Sequence, residues 1–238
     1  MPLRRSLLSC LLLTSLALTS LGLATPGFAL SLDALSNADV SAGLKEALNK
    51  GSAAAVAQLG QQGGFLNSSR FKIPLPPAVA KLESGLRLFG MGDQADALVV
   101  SMNRAAEAAV PEAKALLVDA VKKMSVEDAK GILTGGNDAV TQYFRRTTQA
   151  PLMEKFLPIV RQATAKLGLA ASYNQLAGKA SSFGLVKAED ANLEQYVATR
   201  ALDSLYTLIG EQEKAIRQDP VGQGTALLSK VFGAALGK

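Results

Sequence analysis

Residues 93–124 read DQADALVVSMNRAAEAAVPEAKALLVDAVKKM. Within them Leu98, Met102, Ala109, Ala113, Leu116, Ala120 and Met124 recur at steps of three, four or seven. Such steps place side chains on one side of a 3.6-residue helix, whereas a strand repeats every second residue. Pro111 lacks an N–H and crowds the carbonyl one turn back, so the pattern predicts a helix that kinks or divides there. The stretch sets the fold class as helical, and the chain on either side repeats its pattern.

Toward the N-terminus, Val40, Leu44 and Leu48 follow Asp39, read as a cap, every four residues. Ala55, Val56 and Leu59 continue that face to Gly60, Gly63-Gly64 ends it, and Gly51 either divides it or is passed over. Next comes Phe71-Lys72-Ile73-Pro74-Leu75-Pro76-Pro77, whose prolines forbid a helix. It reads as an extended segment, with one edge strand of a small ribbon as an option. Pro77 suits the first turn of a further helix, carrying Val79, Leu82, Leu86 and Phe89.

Toward the C-terminus, Ser125 starts a short helix with Glu127 and Asp128 in its first turn, where the positive end of the helix dipole favours acids. Asn137 or Asp138 caps another, with Val140, Phe144 and Thr147 on one side, and Pro151 restarts the pattern through Phe156 and Val160 to Leu167. A short helix spans Ser172 to Lys179, and Phe183-Gly184-Leu185-Val186 is the candidate second strand of the ribbon. Leu193, Tyr196, Leu202, Tyr206, Ile209 and Ile216 mark a long helix that Asp219-Pro220 terminates. Thr225 to Leu236 forms an amphipathic helix whose apolar face needs its own domain, a membrane or a partner groove. The expected fold is all-α, an irregular multi-helix bundle or array of about eight to ten helices, with one short two-stranded ribbon as an option.

The chain has 238 residues, with His 0, Cys 1 and Trp 0. The one thiol, Cys10, lies in a stretch that reads as an export signal: Arg4-Arg5, an uncharged apolar run from Ser6 to Leu23, and small residues at Gly27-Phe28-Ala29. Cleavage is expected after Ala29, with Ala24 as the second choice. That leaves a signal peptide at 1–29, a single helical domain at 30–238 and a periplasmic protein. A membrane anchor and a twin-arginine signal at Arg4-Arg5 are the alternatives. Lipidation of Cys10 is disfavoured because the apolar run continues past it. Without histidine or cysteine, Ser-His-Asp and Cys-His nucleophiles, His- or Cys-ligated zinc and disulfides are excluded. No metal and no cofactor is expected. The formal net charge of +5 falls by the two arginines to +3, too mild to imply nucleic acid.

Two polar groups stand out as candidate binding residues. Asn103, Arg104 and Glu107 are the densest polar set in the 93–124 helix, and Arg104 points away from its apolar face. The Arg104–Glu107 pair is a solvated pair, a buried structural pair or a ligand anchor. Tyr143 and Arg145, with Arg146 beside them, set guanidinium groups next to hydroxyls, which could hold a carboxylate or phosphate or merely form a solvated helix end.

Several motifs in fixed order carry a resemblance. They include Gly43-Leu44-Lys45-Glu46-Ala47-Leu48, Gly63-Gly64-Phe65-Leu66-Asn67, Ile73-Pro74-Leu75-Pro76 and Asn103-Arg104-Ala105-Ala106-Glu107. Further on come Met124-Ser125-Val126-Glu127-Asp128-Ala129, Ala139-Val140-Thr141-Gln142-Tyr143-Phe144, Phe156-Leu157-Pro158-Ile159-Val160 and Glu213-Lys214-Ala215-Ile216-Arg217. Together they resemble the family of Domain of Unknown Function 4197 over nearly all of the chain beyond residue 29. The resemblance implies an exported protein of Gram-negative bacteria and assigns no catalytic residue. The expected role is non-catalytic binding of a small apolar ligand or lipid, or of an envelope partner. The alternatives are a scaffold acting through the Thr225–Leu236 helix, or an enzyme relying on carboxylates, tyrosine or arginine.

Overall fold

The structure is a computed structural model that describes residues 37–80, 87–88, 90, 92–136, 138–165, 169–184, 187 and 190–219. Its helices are α1 (Asn37–Gly60), α2 (Gly92–Ala109), α3 (Ala113–Lys123), α4 (Val126–Thr134), α5 (Ala139–Ala165), α6 (Leu169–Ser182) and α7 (Leu193–Gln218). Pro77–Ala80 is helical and precedes α2, and most of the remaining helix expected through Phe89 lies outside the described residues. Among the described residues the fold is all-helical, and no strand occurs.

Cross-helix contacts define four columns. Ser101 Oγ on α2 donates to the Ala163 carbonyl on α5, and the Tyr143 hydroxyl on α5 donates to the Ala120 carbonyl on α3. The α2–α3 column therefore runs antiparallel to α5. α7 runs antiparallel to α5, because Gln195 meets Met153 at one end and Thr141 meets the Tyr206 carbonyl at the other. α1 is antiparallel to α3: Lys45 Nζ reaches the Lys122 carbonyl, while Gly60 lies against Pro111. α1 and α7 meet where Gly51 faces Gln212. Leu44, Leu48 and Leu59 of α1, Met102, Leu117, Phe144, Leu152, Phe156 and Tyr206 are fully buried between the columns. Each such apolar side chain contributes about 1.5–3 kcal/mol by leaving water.

Pro111 divides the helix that opened the reading, as its missing N–H requires. Val110–Glu112 is a 3-10 turn joining α2 to α3. Ser125 caps α4 in a full capping box: its hydroxyl accepts from the Asp128 N–H while the Asp128 carboxylate accepts from the Ser125 N–H. Asn192 caps α7 by accepting from the Gln195 N–H.

Several expectations need correction. Among the described residues six helices run for more than ten residues and α4 for nine, against the eight to ten expected; the two patterns that meet at Pro151 fuse into one helix, α5. α5 passes through both Pro151 and Pro158 without a break. Val140, Phe144, Leu152, Phe156 and Val160 stay on one buried side across both prolines, so packing against α2–α3 and α7 outweighs the lost ladder bonds. Thr148, not Thr147, is the buried threonine of that face. α1 continues through Gly51, which gives close contact with α7, and it begins at Asn37, so Asp39 lies in its first turn and does not cap it.

Among the described residues no ribbon forms: residues 71–76 are irregular, and Phe183-Gly184 is a turn after α6, with Leu185 and Val186 outside the described residues. The leader at 1–29 and the Thr225–Leu236 helix also lie outside them.

Candidate functional site: a strap stapled to the bundle

The chain between Gly60 and Pro77 holds neither a strand nor a helix, yet it is fastened along its length. Residues 61–76 exceed the ~12–15 residues beyond which an irregular segment within a compact domain is uncommon and usually functional. They form a strap across α2 and α7. Gly63 and Gly64 make its first bend possible. Gly63 has φ +87°, a region that costs a residue with a Cβ strain, and a Cβ on Gly64 would come within 2.5 Å of the Gln58 and Leu59 carbonyl oxygens.

Glu107 fastens the first half. Its side chain is buried, and Oε1 accepts from the backbone N–H of Phe65 at 3.1 Å and of Leu66 at 3.0 Å. Oε2 accepts from Arg104 Nη1 at 2.6 Å, and Arg104 itself is partly open to solvent. Burial pushes the Glu107 carboxyl up, but the N–H groups of Leu66, Gly63 and Phe65 and the Arg104 guanidinium outweigh that effect. The net result holds it below the ordinary glutamate value, ionised at neutral pH. Phe65, drawn in by this contact, is fully buried.

Asn103, one turn earlier on α2 and fully buried, fastens the second half. Its Oδ1 accepts from the Ile73 N–H at 2.8 Å, and its Nδ2 donates to the Ile73 carbonyl at 2.9 Å and the Val99 carbonyl at 2.7 Å. The carboxamide thus treats Ile73 as a strand neighbour would, satisfying both backbone groups of a residue that has no ladder. α7 adds two ties: Arg70 forks onto Glu211, and the Tyr196 hydroxyl donates to the Pro74 carbonyl at 3.3 Å. Inward, the strap buries Phe65, Ile73 and Leu75; outward, it exposes Gln61, Gln62, Asn67, Ser69, Arg70, Lys72 and Pro74.

Asn103, Arg104 and Glu107 are therefore brought together by the strap. Tyr143 and Arg145 serve other joints. The Tyr143 hydroxyl is committed to the Ala120 carbonyl at 2.7 Å, and burial pushes its pKa up. Arg145 pairs with Asp203 at 2.9 Å and lies over the Tyr206 ring. Arg146 turns the other way, to Asp128 at 3.0 Å, at the rim of an open groove of about 350 Å³ between α4 and α5.

Arg70, Phe65, Ile73, Tyr196 and Glu211 were not singled out in the sequence as site residues. The one signal for the strap was the glycine pair followed by a proline-rich tract. Among the described residues, no group of three acids could hold a metal, and no helix is long and apolar enough to cross a membrane.

No curated protein and no solved structure matches the chain. A family model described as "Protein of unknown function (DUF4197)" matches residues 34–233, a span that takes in α1 to α7 and the whole strap. The chain belongs to that family.

Proposed function

We propose that this is an exported, non-catalytic binding protein whose strap, residues 61–76, is the surface that meets an envelope protein partner. One observation carries the reading: an irregular segment of unusual length is fixed to the bundle by a buried carboxylate, a buried carboxamide and two ties from α7. Fixing a loop costs conformational entropy, and a loop held in one shape loses less of it on meeting a partner. Rigid scaffolds that present ordered loops are the common way folds carry recognition. In this reading Asn103, Arg104 and Glu107 act by positioning the strap. Tyr143 and Arg145 act further back, by locking α5 to α3 and α7. The exposed strap is polar, through Gln61, Gln62, Asn67 and Ser69, with Lys72 as its one cation beyond the Arg70–Glu211 pair, which suits a polar partner. Export through the 1–29 leader to the periplasm is part of the proposal.

Site-specific photo-crosslinking in cells tests it. A crosslinker at Ser69 or Lys72 is expected to give a discrete adduct with one partner, while one at the exposed Lys155 of α5 gives none. Equal adducts from all three positions, or none from the strap, would refute the reading.

A further inference from the structure

A second surface lies along the seam between α1 and α3, next to the start of the strap. Lys45 with the Lys122 carbonyl marks one end of this seam, and Gly60 against Pro111 marks the other. Beside the close Gly60–Pro111 contact the surface of the seam is indented by an open groove of about 330 Å³, walled by Ala53, Val56, Ala57, Gly60 and Pro111. That volume lies at the low end of the ~300–1,000 Å³ found for small-molecule sites, and because the groove is open along one side an acyl chain lying in it keeps part of its surface in water.

Lys114 stands at its edge, and the remaining lining residue is the uncharged Gln61, so the groove holds no acid. Among the described residues no carboxylate pairs with Lys114. Further along the same face of α1, Asn49 Oδ1 and Ser52 Oγ are buried without a hydrogen-bond partner. Helical spacing puts both between Lys45 and Val56, facing α3. These unpartnered polar atoms weaken the seam beyond the Ala53 end of the groove.

We propose that this groove binds a single-chain anionic amphiphile, a medium-length fatty carboxylate, with its chain along Ala53, Val56 and Ala57 and its headgroup on Lys114. This site borders the strap at Gln61, but its binding of a small molecule does not depend on the strap's role as a partner surface.

Calorimetric titration of the purified protein with octanoate, decanoate and dodecanoate, all below micelle formation, tests it. Affinity is expected to rise with each added methylene, about twofold for a half-covered chain, until the groove is full. Lys114→Gln should weaken decanoate binding about three- to fivefold, as an exposed ion pair does. Ala57→Glu, at an exposed helical position that leaves the fold intact, should abolish it, and Lys155→Gln should change nothing. Flotation with phosphatidylglycerol vesicles distinguishes the source: a free-acid site leaves the protein unbound to vesicles. The proposal is overturned by an absence of saturable binding, by binding that ignores both Ala57→Glu and Lys114→Gln, or by vesicle binding without binding of the free acid.

Discussion

Replacing Glu107 probes the strap at its most exacting point. In Glu107→Ala the Phe65 and Leu66 N–H groups lose their acceptor while the first stays buried and the second half-buried. An N–H stranded away from water costs about 1–3 kcal/mol, so the pair costs about 2–5 kcal/mol. Arg104 adds little, because its partly open side chain turns to water. Glu107→Gln keeps an amide oxygen for both N–H groups and gives up only the charge-assisted part, about 1–2 kcal/mol.

At roughly 2–4 °C per kcal/mol for a protein of this size, Tm should fall by about 10 °C for alanine and about 4 °C for glutamine. Thermal unfolding followed by circular dichroism measures Tm, and urea unfolding measures the free energies of both variants. The midpoint should move while the slope stays constant. The reasoning is refuted if alanine costs less than about 1 kcal/mol, or if glutamine costs as much as alanine.

Asn103→Asp should destabilise more than Asn103→Ala, although it is the closer isostere, because it turns a buried carboxylate oxygen toward the Ile73 and Val99 carbonyls; paired urea titrations decide the order. Acid should loosen the strap. The Glu107 carboxyl sits below its ordinary value in the folded protein, so its stabilisation is complete above the unfolded value near ~4.3 and is lost as pH falls through the folded value. Urea midpoints between about pH 5 and pH 3 should accordingly fall less steeply in Glu107→Gln than in the wild type. Gly64→Ala should cost about 1–3 kcal/mol or more, because its Cβ meets two backbone oxygens that cannot swing aside, and thermal unfolding reads this directly. Ser125→Ala should cost about 1 kcal/mol by removing the cap of α4, without affecting the strap's amides.

The helical core was legible because burial between helices leaves a period. Leu98, Met102 and Ala109 face the columns as their spacing predicts, and Pro111 divides its helix. The extent of α5 was not legible, since Pro151 reads as a break and only contacts from two neighbouring columns hold the helix through it. The strap was half legible. Gly63-Gly64 and Pro74 to Pro77 announce an irregular segment, and Asn103 with Glu107 announce a polar group on the back of α2. Nothing local to either stretch says that they meet, across 42 positions between Phe65 and Glu107 and 30 between Ile73 and Asn103. Polar residues on a helix back face look alike whether water or a folded-over strap covers them. Their burial is a tertiary fact.

The strap's rigidity is the central claim, and native-state amide hydrogen exchange at Phe65, Leu66 and Ile73 tests it most directly. The account predicts protection approaching that of α2, roughly a thousandfold or more over the unstructured chain, and its collapse at Phe65 and Leu66 in Glu107→Ala while α2 keeps its own. Exchange of these three amides within about tenfold of the unstructured rate in the wild type would contradict it.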